Sequence, residues 1–328
     1  MGARGTLWIS RGYTVRVSDT PRGASTFVIS LTPFTADGRL DEPGFRAHLQ
    51  RLAAAGIGVY VGGSGSGEGY VLSAVERRRV LTIASEELAG RVPVRGMGVE
   101  PRSAAEMIAY GEEVASAGLD AVQIYSLDLG HGYRPRPEEL EGYLEEVLGA
   151  LPIPCVLSSH QAMGYAISPE VVVALAARHP HLVGLHFTNA DVSALVRMLD
   201  AVAGRLAVHV GGPMQALTAL ALGAQGFLSS EGNLAPRLCV RLIEQHRAGD
   251  FVARDQSFAA VLQLFAATQA AGGMSATKGA LRRLGLPGGY PRRPRLPASD
   301  AAAEGLVQTF ERLGLREGEA VVRTERGG

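Results

Sequence analysis

Two histidines and a serine stand at the ends of short apolar runs, where side chains could meet and do proton chemistry. "IPCVLSSHQ" ends in Ser158, Ser159 and His160, and "HLVGLHFTNAD" carries His186 and Asn189. Imidazole exchanges protons near neutral pH and also binds metals, so histidines at such positions suit acid–base work or metal binding. Upstream, "VYVGGSGSGEGYVLSAVERRRVL" spans residues 59–81 and reads as strand, glycine-serine loop and helix. Backbone N–H groups at such a junction can hold an anion, here around Gly65, Ser66 and Gly67. The loop fits neither G-x-G-x-x-G nor the lysine-terminated phosphate loop, so nucleotide binding is not expected. The chain has a single lysine, Lys278, more than 200 residues further on, and it is expected to lie far from the loop.

The elements that must position these residues are legible as a repeat. From about residue 26 to residue 247, short runs rich in β-branched residues alternate with helical periodicity. The runs are "TFVISLTP", "GVYVGG", "VPVRGMG", "AVQIYS", "IPCVLSS", "HLVGLHF", "LAVHVGG" and "AQGFLSS". Helix starts are marked by Ser73 with Glu76, Ser103 with Glu106, and Ser168 before Pro169. Near-continuous apolar strands between helices imply a parallel sheet covered outside, and eight units predict a (β/α)8 barrel. The expected layout is an N-terminal arm over residues 1–25, the barrel over 26–250 and a helical region over 251–328. That last region contains helices near 251–271, 275–284 and 300–313. In a barrel the site lies at the C-terminal strand ends. Alternation puts Ser158 and His160 on one face, with His186 reaching the same space and His209 one face off or deeper.

Composition excludes several classes. With 328 residues, 46% hydrophobic, 20% charged and a formal net charge of zero, nothing suggests nucleic acid or an anionic membrane as partner. Cys155 and Cys239 are too few for a disulfide framework or a cysteine metal cluster and read as buried thiols. No apolar run reaches the ~18 residues of a membrane span, and "MGARGTLWISRGYTVRV" lacks a continuous hydrophobic core, so a cytoplasmic location is expected.

The ordered set "LTPFTADGRLD", "GGSGSGEGYVLSAVERRRVL", "VPVRGMG", "YRPRPEEL", "HLVGLHFTNAD" and "ALALGAQGFLSSEGN" resembles the dihydrodipicolinate synthase / N-acetylneuraminate lyase family of class I aldolase-type barrels. The resemblance spans about residues 26–286. It implies a (β/α)8 barrel with C-terminal helices, a homodimer or homotetramer, and a small carboxylate substrate such as a 2-oxo acid. In that family a lysine on the sixth strand forms a Schiff base; the matching position here is His186. The family's fifth-strand tyrosine falls at Ser158, and a tyrosine supplied across its subunit interface falls near Gly132. Gly65 and Ser66 stand in an altered carboxylate loop with Glu68 retained. Lys278 matches a lysine of the family's C-terminal helices.

Imidazole is not a primary amine and cannot form the imine. Three readings of the histidines stay open: acid–base catalysis by His186 with His160 and Ser158, a histidine metal site, or polar fill in a barrel without catalysis. Substrate contacts are expected from Gly65, Ser66, Gly67, Asn189, Gly211 and Ser230, with no metal and no cofactor. Partial desolvation in the barrel mouth favours the neutral form of His186, so a titration somewhat below or near neutral pH is expected. His131 reads as a loop residue able to reach the site, Glu231 as a rim carboxylate, and His48, His179, His181 and His246 as surface residues. The function this implies is a lyase, isomerase or cyclase acting without a Schiff base. The alternative is an inactive homologue that binds small molecules or serves as a scaffold, its pocket filled by residues such as Met163, Phe187 and Met214.

Overall fold

The computed structural model describes residues 24–321, so most of the expected N-terminal arm lies outside the described residues. Eight strands alternate with helices in chain order. They are β1 Ser25–Ile29, α1 Glu42–Ala55, β2 Gly58–Val61, α2 Ala74–Leu88, β3 Val94–Gly96, α3 Ala104–Ser116, β4 Ala121–Ile124 and α4 Pro137–Ala150. There follow β5 Cys155–His160, α5 Pro169–Arg178, β6 Leu182–Thr188, α6 Val192–Val202, β7 Ala207–Gly211, α7 Ala216–Ala221, β8 Gly226–Leu228 and α8 Pro236–Ala248. Every neighbouring pair is parallel, and β8 closes on β1.

Local chemistry sets the helix starts. Ser73 accepts from the N–H of Glu76 while the Glu76 carboxylate accepts from the N–H of Ser73, a complete capping box. Ser103 caps α3 in the same way, but Glu106 turns back to the N–H of Arg102. Ser168 caps α5 ahead of Pro169, as expected.

The strands are largely buried on both faces, and the barrel interior is more polar than its wall. Val122, Leu157, Leu185, Phe187 and Phe227 are buried on the face towards the helices. Inside, the Arg95 guanidinium lies 4.3 Å from the Phe27 ring centre and donates to the Tyr60 hydroxyl at 2.9 Å. Gly96 faces outward: a Cβ there would collide with the Val114 side chain on α3.

Among the described residues four further helices follow the barrel: α9 Phe251–Ala270, α10 Met274–Arg283, α11 Asp300–Arg312 and α12 Leu315–Gly318. The chain between α10 and α11 returns to the barrel top, where Tyr290 and Phe34 exchange backbone hydrogen bonds of 2.7 and 3.2 Å.

Candidate active site at the barrel mouth

Ser158 and His186 stand opposite each other on adjacent strands, and His186 in turn stands opposite His209 on β7. Gly211 clears the space beside the imidazole, since a Cβ there would fall 2.9 Å from His186 Nε2 and collide with Thr188. His186 is 6% exposed. Its Nε2 is 3.3 Å from the Thr188 hydroxyl, and its Nδ1 has no partner among the described residues. Burial, helped by neighbouring His160, pushes its pKa down to about 3. The imidazole is therefore neutral at pH 7; desolvation acts in the direction expected from sequence, but takes the pKa further below neutral than expected.

His160 is half-buried at the mouth. Its Nδ1 accepts from the N–H of Ala162 at 3.1 Å, which leaves the proton on Nε2. The ring stands edge-on to His186, with centres 6.3 Å apart. Burial lowers its pKa, against an opposing pull from Glu100. The Ser158 hydroxyl is buried and has no partner among the described residues. His209 shares the inward face of His186 but lies deeper, bonded through Nε2 to the Ser25 hydroxyl at 2.8 Å with its ring edge against Phe27.

The glycine-serine loop leads from β2 into α2. Its glycines are required by close approach: a Cβ on Gly67 would sit 2.8 Å from the Gly63 backbone, and one on Gly69 would strike the Gly62 carbonyl. Left-handed backbone occurs at Gly62 and, against its type, at Glu68 with φ 50°. Among the described residues the N–H groups of Gly65, Ser66 and Gly67 have no protein acceptor. Ser64 bonds Glu100 at 2.7 Å, and Ser66 is buried.

Lys278 is not far from this loop. Its ammonium bonds the Glu68 carboxylate directly, together with the carbonyls of Thr32 at 2.7 Å and Tyr290 at 3.0 Å. Glu68 also accepts from the N–H of Arg292 at 3.0 Å. The packing of α10 beside the loops that follow β1 and β2 closes a separation that the linear chain conceals.

The other expected contacts divide. Asn189 Oδ1 accepts from the N–H of Asp191 at 2.9 Å, and the Ser230 hydroxyl donates to Glu231 at 3.0 Å. Glu231 is buried rather than at the rim, under the hydroxyls of Ser229 and Ser230, and burial raises its pKa. His48 is fully buried, not on the surface. Its Nε2 lies 3.0 Å from Asn233 Oδ1, because α1 turns that face onto the barrel. His179 is also buried, against Glu145 at 2.9 Å. His181 and His246 are partly buried, while His131 is exposed. Phe187 points to the helices and Met214 is exposed, so neither fills the mouth. Among the described residues no group of three or more His, Cys, Asp or Glu is placed to hold a metal ion. No helix among them is long and apolar enough to cross a membrane.

Sequence reasoning passed over Gln123. It faces inward from β4, is fully buried, and neither atom of its amide has a partner among the described residues. The signal was there: a glutamine inside the apolar run "AVQIYS".

Fold and mouth together define an aldolase-type (β/α)8 barrel. The chain belongs to the dihydrodipicolinate synthetase family, whose match covers residues 22–313. It is 30% identical over 290 residues to a 4-hydroxy-tetrahydrodipicolinate synthase of Methanopyrus kandleri, covering 87% of this chain and 94% of the relative. It is 32% identical over 224 residues to the Escherichia coli putative 2-dehydro-3-deoxy-D-gluconate aldolase YagE, covering 67% and 72%. The crystal structure of YagE in complex with pyruvate superposes with a TM-score of 0.80 at 27% identity, covering 89% of this chain and 99% of that one.

Proposed function

We propose that the protein is a lyase-type enzyme, acting without a Schiff base on a small carboxylate with a 2-oxo or related group. The observation that carries this reading is the neutral imidazole of His186, with an unpartnered ring nitrogen beside the unpartnered hydroxyl of Ser158. In the family resemblance a lysine stands at that point of the sixth strand. The relatives' names, a synthase and an aldolase, and pyruvate in the YagE structure support the substrate class.

In this reading the N–H groups of Gly65, Ser66 and Gly67 hold the carboxylate. A neutral imidazole polarises a carbonyl by hydrogen bonding rather than by full proton transfer, which suits His186 to stabilising an enolate-like oxygen. Ser158 orients the same oxygen. His160, at the solvent boundary, takes the proton of the neighbouring carbon on Nδ1 when that nitrogen gives up the hydrogen bond from Ala162. The bonding pair left behind moves onto the oxygen held by His186, and the resulting imidazolium of His160 then returns the proton.

Exchange of pyruvate C3 protons in D2O, followed by NMR, tests the proposal. Protein-dependent exchange that falls in His186→Ala supports it. Pyruvate binding without exchange favours the second reading, a non-catalytic binding homologue. One observation favours that alternative: a pKa near 3 makes His186 a weak base.

A further inference from the structure

We propose that Gln123 is a specificity-determining residue that, with Ser158 and His186, recognises an uncharged oxygen function on the substrate. This inference rests on the functional reading above. Gln123, Ser158 and His186 lie on the consecutive strands β4, β5 and β6. Gln123 stands opposite Val156, and Ser158 is the next inward residue above Val156 on β5. Ser158 stands opposite His186. The three therefore occupy one sector of the barrel interior, immediately below the mouth.

They share a second property. Both amide atoms of Gln123, the Ser158 hydroxyl and His186 Nδ1 are buried and without a protein partner among the described residues. The hydroxyl of Tyr125, the next inward position beyond Gln123, has a weak hydrogen-bonding interaction with the Gln123 amide that slightly opposes the effect of burial on the tyrosine, at a separation too long for a full hydrogen bond. Buried polar atoms are nearly always paired, and leucine would fill the place of Gln123 at lower cost if only packing were needed. Four unpaired atoms in one sector thus call for a polar partner from outside the chain.

The chemistry of the group narrows that partner. An amide and a hydroxyl are uncharged, each can donate and accept, and the imidazole beside them is neutral. No cation belongs to the cluster, so it suits a ketone or hydroxyl oxygen rather than a carboxylate. The carboxylate is left to the glycine-serine loop above. A substrate carrying both groups spans the two, with its carbonyl or hydroxyl pointing inward.

Calorimetric titration of the full chain with pyruvate, lactate and propionate tests this. These ligands share a carboxylate and differ in the oxygen on the second carbon. Wild type is expected to bind pyruvate or lactate at least about tenfold more tightly than propionate, because a site built for a hydrogen bond rejects a ligand lacking it. Gln123→Leu should erase most of that preference while leaving propionate affinity and the melting temperature unchanged or higher. Gln123→Met provides the same comparison if the leucine variant does not fold. Preference retained in the folded variant overturns the role of Gln123. Equal wild-type affinity for all three ligands overturns it too, yet leaves the carboxylate site standing. Binding of none of them removes the functional reading and this inference together.

Discussion

Lys278 and Glu68, 210 positions apart in the chain, form an ion pair in which neither side chain is exposed to solvent. The pair ties the end of the glycine-serine loop to the C-terminal helices. Burial lowers the lysine pKa to about 8, with Glu68 opposing the shift, so the ammonium is still charged at pH 7. Arg292 extends the tie: its N–H bonds Glu68, and its guanidinium bonds Glu76 at 2.6 Å on α2.

Removing one partner strands a buried charge. Lys278→Met is expected to cost on the order of 3–5 kcal/mol, and adding Glu68→Gln should recover part of that loss. Urea unfolding of the two variants is the check. If the double variant is no more stable than the single one, the pair is not the reason Lys278 matters.

His186→Ala should lower C3-proton exchange in pyruvate by about 10²–10³-fold, the usual range for a lost donor to a developing oxyanion. Glutamine at the same position can still donate a hydrogen bond and should keep more activity than alanine if carbonyl polarisation is the main role. Equal losses in the two variants would instead mean that a proton passes through the ring.

Borohydride reduction in the presence of pyruvate should add no mass to the intact protein. The only lysine is engaged with Glu68 and the carbonyls of Thr32 and Tyr290, away from His186. A reduced adduct on Lys278, seen by peptide mass mapping, would overturn the imine-independent reading.

Stability should fall as pH drops from about 6.5 towards 3. His48, His186 and His209 are each held near a pKa of about 3 by burial, below the 6.5 of an unfolded histidine. Between those values the unfolded chain binds more protons, so acid favours unfolding. Glu231 and Glu319, raised by burial, take up protons in the folded state and oppose the trend. Melting temperatures at pH 7 and pH 5 should therefore decrease on acidification, and less steeply in His209→Gln. A wild type equally stable at both values would contradict the assignment.

Light scattering at micromolar concentration should show a homodimer or homotetramer. Leu129 and Tyr133, 43% and 47% exposed, lie in the loop where the family resemblance puts a subunit contact. A monomer would remove that expectation.

The order of the elements was written in the sequence because strand and helix patterns are local. Eight β-rich runs, the capping serines and Pro169 each act within a few residues, and all eight strands form where the pattern put them. Alternation along β5 likewise aligned Ser158 with His160, since side-chain direction in a strand has a fixed period of two. Contacts between distant segments were not legible. Lys278 meets Glu68 only because α10 packs beside the loops after β1 and β2, and His48 is buried only because α1 turns that face inward. The direction of the His186 pKa followed from its place in the barrel mouth, but its extent depends on how much water the closed barrel excludes, a quantity no local pattern encodes. Gln123 stood in plain view as a polar residue in an apolar strand. Only the strand pairing, which sets β4 beside β5 and β5 beside β6, brought its unpaired amide into the sector of Ser158 and His186.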